Sequence, residues 1–492
     1  MSLILIMSLQ TNKILWVKPF LICYGVENIP SLRINDTLFI IGSCEGLMMA
    51  IDSNLNAKWI VRVDSFYPSY HIERMIKLND SLIATNPLGI FNIKTRSYVW
   101  MKSSYYSLGS LAFDGSNLMV GLANPYSPWS SLILKVDLNG TILWAKRIYL
   151  QAPYLQNFLV KDVLFDGQNY VYLIKTTFAN PNGDDWRLTT ILKLDTAGNL
   201  IWIKNYSVRN DFFRLLKDSD GYVVVGYACS VAWNCSIVDN DDIIIFKVDF
   251  DGNLIWSRLY SSNVAGWSSE DRAYNIALDY DGNYLVSGFI RASSNSSYPI
   301  VLKINRNNGN LIWSRVWNTP PPYTSSNEAK GVISIGQGKF YLLTFIGDSA
   351  STYPSGIAVI KEDTSSPIQC TQNINFNVSG LGLTTSNFTF VSSQTDFQGN
   401  TLSLPYIYIY AFLTEGCSIS SNYEFNKSCL FKVSSNKGYI HIELNKREKV
   451  SIYDISGKAI YNEFFEGKRK VKVKEGVYVV RIGKENVKVV VK

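Results

Sequence analysis

ILKLDTAGNLIWIKNY at 191–206 and IFKVDFDGNLIWSRLY at 245–260 are one hairpin written twice. Each opens on an apolar strand, turns on Asp, Asn and Gly, and returns on a strand that carries Trp. Turn residues of this kind between strand-forming runs are a strong local hairpin signal. ILKVDLNGTILWAKRI from Ile133 and VLKINRNNGNLIWSRVW from Val301 are further copies, and MMAIDSNLNAKWIVRV from Met48 and GIFNIKTRSYVWMKS from Gly89 are more diverged ones.

The tryptophans set the period. Trp16, Trp59, Trp100, Trp144, Trp202, Trp256 and Trp313 recur at intervals of 43, 41, 44, 58, 54 and 57 residues. Upstream of the hairpins lie further strand pairs with their own tight turns: INDTLFIIG, LNDSLIAT, FDGSNLMVG, FDGQNYVYL, DSDGYVVVG, DYDGNYLVSG and GQGKFYLLTF. A four-stranded sheet of this size cannot bury both of its faces, so such units must pack side by side, with Trp as filler between neighbours. The expectation is an all-β chain: a seven-bladed β-propeller over residues 13–370, followed by a small C-terminal β-sandwich over 434–492. KILWVK (13–18) is the strand expected to complete the last blade, whose inner strands end at GIAVIKED (356–363); SSPIQC, just beyond, is the alternative. Residues 371–433, rich in Ser, Thr and Asn, read as a β-rich linker or small β module.

Charge separates the two ends. Residues 434–492 hold 14 Lys and Arg against 7 Asp and Glu, so this tail carries the whole net charge of +7, and the rest balances. A neutral propeller lacks the electrostatic footprint of a nucleic-acid binder. No apolar run reaches the roughly 18 to 20 residues of a membrane-spanning helix, and MSLILIMSLQTNK, without a basic n-region, is a poor signal peptide. The seven cysteines show no CxxC spacing. Disulfides pairing Cys229 with Cys235, Cys417 with Cys429 and Cys23 with Cys44, leaving Cys370, stand against buried free thiols.

Length variation falls on one face, in the connections ANPYSPWSS, TTFANPNGDDWR, ACSVAWNCSIVDNDD, NVAGWSSEDR, RASSNSSYP and NTPPPYTSSNE. Long loops on a rigid scaffold are where recognition usually resides. Trp129, Trp186, Trp233 and Trp267, beside Tyr126, Tyr298, Tyr323 and Tyr353, are the candidate binding residues, since aromatics set among Ser, Asn and Gly make adaptable surfaces for glycan or protein. The competing reading is that these rings cover loop ends. Asp239, Asp241 and Asp242 are the candidate oxygen ligands for Ca2+; no other cofactor is expected. Catalysis has little material: the two histidines, His71 and His441, form no triad, and only Glu270 or Asp271 with Asp185 is a carboxylate pairing to test for glycoside cleavage.

Two resemblances follow from these residues. DSDGYVVVGYA with DDIIIFKVDFDGNLIWSRLY resembles propeller repeats of secreted bacterial and archaeal proteins, and is similar to quinoprotein-type repeats, whose enzymes carry adjacent cysteines that this chain lacks. VSIYDISGKAIYN (450–462) and EGVYVVRIGKENVKVVVK (475–492) resemble the C-terminal sorting domain of type IX secretion cargo. That resemblance implies contact with the secretion machinery, export to the exterior or cell surface, and often removal of the domain. Taken together, the expected function is a secreted or surface-attached adhesion propeller that binds glycan or protein on its long-loop face. The alternatives are a polysaccharide-active hydrolase or lyase on the same face, and a structural surface-layer or filament component.

Overall fold

The computed structural model describes residues 4–8, 13–17, 28–42, 46–63, 72, 74–85, 88–103, 107–123, 130–151, 155–178, 186–206, 210–229, 240–262, 269–293, 296–317, 326–347, 356–365, 371–373, 376–380, 385–386, 389–394, 400–401, 406–408, 411–414, 431–436, 439–454, 458–474, 476–482 and 485–491. Among them the regular secondary structure is β-strand throughout. The chain divides into two compact units, residues 1–417 and 418–492.

In the first unit the repeat becomes a sheet. Asn210–Lys217, Tyr222–Cys229, Asn240–Val248 and Leu254–Ser262 pair antiparallel in chain order. The turn into the last strand explains its sequence. Asp249 Oδ1 accepts the amides of Asp251 and Asn253 at 2.9 and 2.7 Å, and the Asp249 amide donates to the Asn253 carbonyl at 2.8 Å. Gly252 takes φ +77° there, a left-handed conformation that costs other residues free energy. The register slips between Lys247 and Val248 as the turn closes, a bulge that re-aims the side chains opposite it.

The same pattern recurs over 31–63, 75–103, 107–151, 155–206 and 269–317. Ser326–Gly336, Lys339–Gly347 and Gly356–Asp363 form a sheet whose fourth strand is Lys13–Val17, with Ile14 opposite Ile360 and Trp16 opposite Ala358. The first strand of each sheet neighbours the first strand of the next, and Ser326–Gly336 neighbours Ser31–Asn35. The sheets therefore close into a ring, the arrangement of a β-propeller.

Residues 371–414 do something that their composition did not suggest. Among the described residues their strands do not pair with one another; each adds to the outer strand of a different sheet, in reverse chain order. Thr371–Asn373 joins Leu311–Trp317, Phe376–Gly380 joins Leu254–Ser262, and Thr385–Ser386 joins Leu200–Tyr206. Thr389–Gln394 joins Ile142–Gln151, Asn400–Thr401 joins Ser97–Ser103, and Tyr406–Tyr408 joins Ala57–Val63. Ala411–Thr414 then runs parallel to Ile4–Ser8, itself paired with Lys13–Val17. These strands form a belt laid along the outer edges, and they occupy backbone groups that an edge strand would otherwise leave unpaired.

Neighbouring sheets interlock through their indoles. Trp100, Trp202 and Trp256 donate Nε1 to the carbonyls of Leu138, Phe250 and Arg306, each in the last hairpin turn of the following sheet, at 2.8, 3.1 and 3.2 Å. The turn glycine lies against the ring: a Cβ on Gly309 would come within 2.6 Å of Trp256.

In the second unit, Tyr439–Asp454 is the organising strand. Its first half pairs with Phe431–Asn436, its second half with Gly476–Ile482, and Ala459–Lys472 runs alongside both halves. Glu485–Val491 pairs with Gly476–Ile482. Ile440 and Ile442 from the first half meet Val450 and Ile452 from the second, with Tyr478 and Val480, in one apolar cluster. The register break between Leu444 and Glu448 marks the bend that brings the halves together.

Candidate functional site

Short turns such as Asp218–Gly221 and Asp249–Asn253 gather at one end of the strands, and the long connections leave from the other. At that second end the 210–262 and 269–317 sheets meet. Asn240 and Asp241 run parallel to Ser269 and Glu270, which brings the acidic candidates Asp241, Asp242, Glu270 and Asp271 to one junction.

Arginines occupy the gap. Arg272 donates to Asp241 Oδ2 through Nη2 at 2.7 Å and Nε at 3.0 Å, and also pairs with Glu270, which Arg291 grips from the next strand. The Arg272 guanidinium lies 4.2 Å from the centre of the Tyr227 ring. Burial pushes the Glu270 carboxyl up, and the two arginines pull it back. Asp271 is sealed from solvent and accepts the Ser262 amide at 2.6 Å and the Ser262 hydroxyl at 3.0 Å. Burial pushes its carboxyl up to about 7, against the two hydrogen bonds and with a contribution from Asp242 and Asp241. Asp242, also buried, is raised by the same desolvation. In this geometry Asp271 is bonded to Ser262, and Asp241 and Glu270 are engaged by arginine. Among the described residues no group of three or more His, Cys, Asp or Glu is placed to hold a metal ion.

Of the aromatic candidates, Trp186 begins the strand Trp186–Leu194, opposite Phe178 at the long-connection end. Tyr298 is half-buried and packs against the cluster of Val223, Tyr260 and Ile300, so it serves the core in part. Trp129, Trp233, Trp267, Tyr126, Tyr323 and Tyr353 lie outside the described residues, as do Asp185 and Asp239. Cys229 ends the strand Tyr222–Cys229, and the other six cysteines lie outside.

The inner wall of the ring holds a second polar centre that sequence reasoning missed. Arg74 Nη2 donates to the carbonyls of Lys161 and Phe213, on two other sheets, at 3.1 and 3.2 Å. Its Nε is 3.6 Å from Asp162 Oδ1, and Arg214 approaches the same oxygen at 3.7 Å. Asp162 further accepts Ser110 Oγ at 2.7 Å and the Leu215 amide at 3.0 Å. Burial and the charge of Arg74 lower the Arg214 guanidinium to about 10, with Asp162 opposing. Beside it, Phe213 packs at a tilt between Tyr227 and Tyr274, and Lys330 Nζ lies 5.0 Å from the Tyr274 ring centre. Isolated charged residues on inner strands carry no periodic signal, because what matters is convergence across sheets far apart in sequence.

Comparison with known proteins bears on each unit. Residues 436–492 match the family model of the secretion system C-terminal sorting domain. The comparison with curated proteins finds no match. Among solved structures, BamB from Moraxella catarrhalis is similar at 14% identity over 73% of this chain and 98% of its own, with a TM-score of 0.39. The quinohemoprotein alcohol dehydrogenase from Comamonas testosteroni is similar at 8% identity over 68% of this chain and 75% of its own, with a TM-score of 0.37. The WD40 β-propeller domain of Doa1 is similar at 14% identity over 73% of this chain and 99% of its own, with a TM-score of 0.29. The sorting domain marks a secreted or cell-surface protein, and the tail as the part that meets the secretion machinery.

Proposed function

We propose that the chain is a seven-bladed β-propeller with a C-terminal β-sandwich, and that it captures a glycan or protein ligand outside the cell through its long-connection face. The observation that carries this reading is an asymmetry. One end of the sheets is closed by tight turns that bear Asp, Asn or Gly, while the other end sends out connections rich in Trp, Tyr, Ser and Asn. Rigid strands holding variable aromatic loops are the usual form of a recognition surface. Closure of the inner strands into a ring supports the count of blades, and the sorting domain supports a role at the exterior.

The face is tested by replacing Trp186, Trp233 and Trp267 together with Ala and screening binding to an array of bacterial and host glycans and to surface proteins. Capture by the parent chain and its loss in the variant, with an unchanged melting curve, is the expected result. Equal capture by both removes this face from consideration.

A further inference from the structure

The second unit carries a charged surface that nothing above uses. Among the described residues, Ala459–Lys472 is an edge strand, paired only with Tyr439–Asp454. Its last part and the residues after it read GKRKVKVK at 467–474. Val471 and Val473 pack against the apolar cluster, while Lys468, Lys470, Lys472 and Lys474 are exposed. Alternation along a strand places every second residue on one face, spaced about 6.6 to 6.8 Å apart. The four lysines therefore form a straight row facing away from the core. Register sets Lys472 beside Tyr439, Lys470 beside His441 and Lys468 beside Glu443, and Lys470 Nζ sits 4.1 Å from the Tyr439 ring centre. No acidic residue interrupts the run from 467 to 474. Beyond Lys468, which stands opposite Glu443, the crowding of like charge at Lys470, Lys472 and Lys474 opposes folding of the unit, because like charges on one strand face repel.

We infer that the row Lys468, Lys470, Lys472 and Lys474, with Tyr439 at its side, binds an anionic polysaccharide. A linear polyanion meets a linear row of ammonium groups with one charge after another, and releases their mutual repulsion as it binds. An aromatic ring beside the row adds a flat apolar surface of the kind on which a sugar ring stacks. The sorting domain puts the chain at the exterior, where the polyanion presented is a uronate-, phosphate- or sulfate-bearing glycan rather than nucleic acid. This site is independent of the long-connection face of the first unit.

The test uses the full chain and polygalacturonate, with neutral dextran and single-stranded DNA as comparators. Lysines are labelled with an amine-reactive reagent in the presence and absence of each polymer, and the peptides are read by mass spectrometry. Polygalacturonate is expected to lower labelling of Lys468, Lys470, Lys472 and Lys474 at least threefold, and dextran to leave it unchanged. On a dextran sulfate column, the triple variant K470Q/K472Q/K474Q is expected to elute at about half the salt concentration of the parent. A control that removes the same charge from the first unit, K58Q/K94Q/K339Q, is expected to elute with the parent. Absence of protection, or equal losses in the two variants, overturns the proposal; protection by DNA alone overturns the choice of polysaccharide. The labelling arm needs no variant, so it decides even if the triple variant misfolds.

Discussion

Lys247 Nζ lies 2.7 Å from Asp218 Oδ2, and each side chain is 1% exposed. The pair sits where two sheets join, for Tyr284 and Arg306 of the following sheet reach the same carboxylate. The motif repeats around the ring: Tyr170 donates to Asp114 at 2.5 Å and Tyr222 to Asp166 at 2.6 Å, with Lys135 and Lys193 beside them. An Asp that its own turn needs thus also fastens the next sheet.

Removing Lys247 leaves the buried Asp218 carboxylate to Arg306 and Tyr284 alone. Lys247→Met is expected to lower stability by about 2 to 3 kcal/mol, less than the loss for a fully uncompensated buried charge, and the double variant with Asp218→Asn by less than the sum of the singles. Denaturant unfolding of the four proteins of the cycle checks this; additive losses would show that the two groups do not interact.

Acid should loosen the same junction. Burial works against ionised Asp218, but Lys247, Tyr284, the Ser219 amide and Arg306 outweigh it and hold the carboxyl at about 2. A depressed carboxylate contributes stability that is present above its unfolded value near 4 and disappears as pH falls toward 2. Between those values the melting temperature is expected to fall less steeply in Asp218→Asn than in the parent; parallel curves would contradict it.

Asp271 should give the opposite sign. Its carboxyl is raised to about 7 by burial, so its contribution is complete below the unfolded value near 4 and is lost as pH climbs to 7. Asp271→Asn keeps the shape without the charge and is expected to flatten the fall in melting temperature between pH 4 and 7. An unaltered slope would mean that the carboxyl is ionised throughout.

Gly309 is expected to tolerate no side chain. Its φ is +71° and a Cβ would meet Trp256, so Gly309→Ala should cost about 2 to 4 kcal/mol, strain and clash together. Gly115 also has positive φ but has nothing within 4 Å, and the same change there should cost about 1 kcal/mol. Equal losses at the two positions would place the whole effect in the backbone.

Deleting residues 371–414, with the flanking chain joined by a Gly-Ser linker, should leave a protein that melts lower and scatters light increasingly with concentration, because its outer strands become open edges. A monomeric deletion variant with the parent's melting temperature would show that the belt is dispensable.

The ring was legible because its signals are local. Asp249 to Gly252 announces a turn, and Trp256 an outer strand, within one window of sequence. Tyr222 and Tyr284 were legible in hindsight, since an aromatic follows the first turn in FDGQNYVYL, DSDGYVVVG and DYDGNYLVSG alike. The belt was not. Thr385–Ser386 and Asn400–Thr401 are two-residue strands without a pattern of their own, and what makes them strands is the edge that they meet. The junction of Asp241 with Arg272 was half legible: the acids stand out in the sequence, but nothing in their spacing marks Arg272 as their partner, because the pairing depends on two sheets meeting.

The belt visits six of the sheets in the reverse of the order in which translation makes them, and ends at the sheet that joins the first strands to the last. Six exposed margins therefore wait, and of these the last to be built is the first to be covered. A nascent or partly threaded copy is vulnerable to sticking to its siblings until its final stretch arrives, and the same stretch leads directly into the export signal. Concealment and dispatch thus become available to the molecule together.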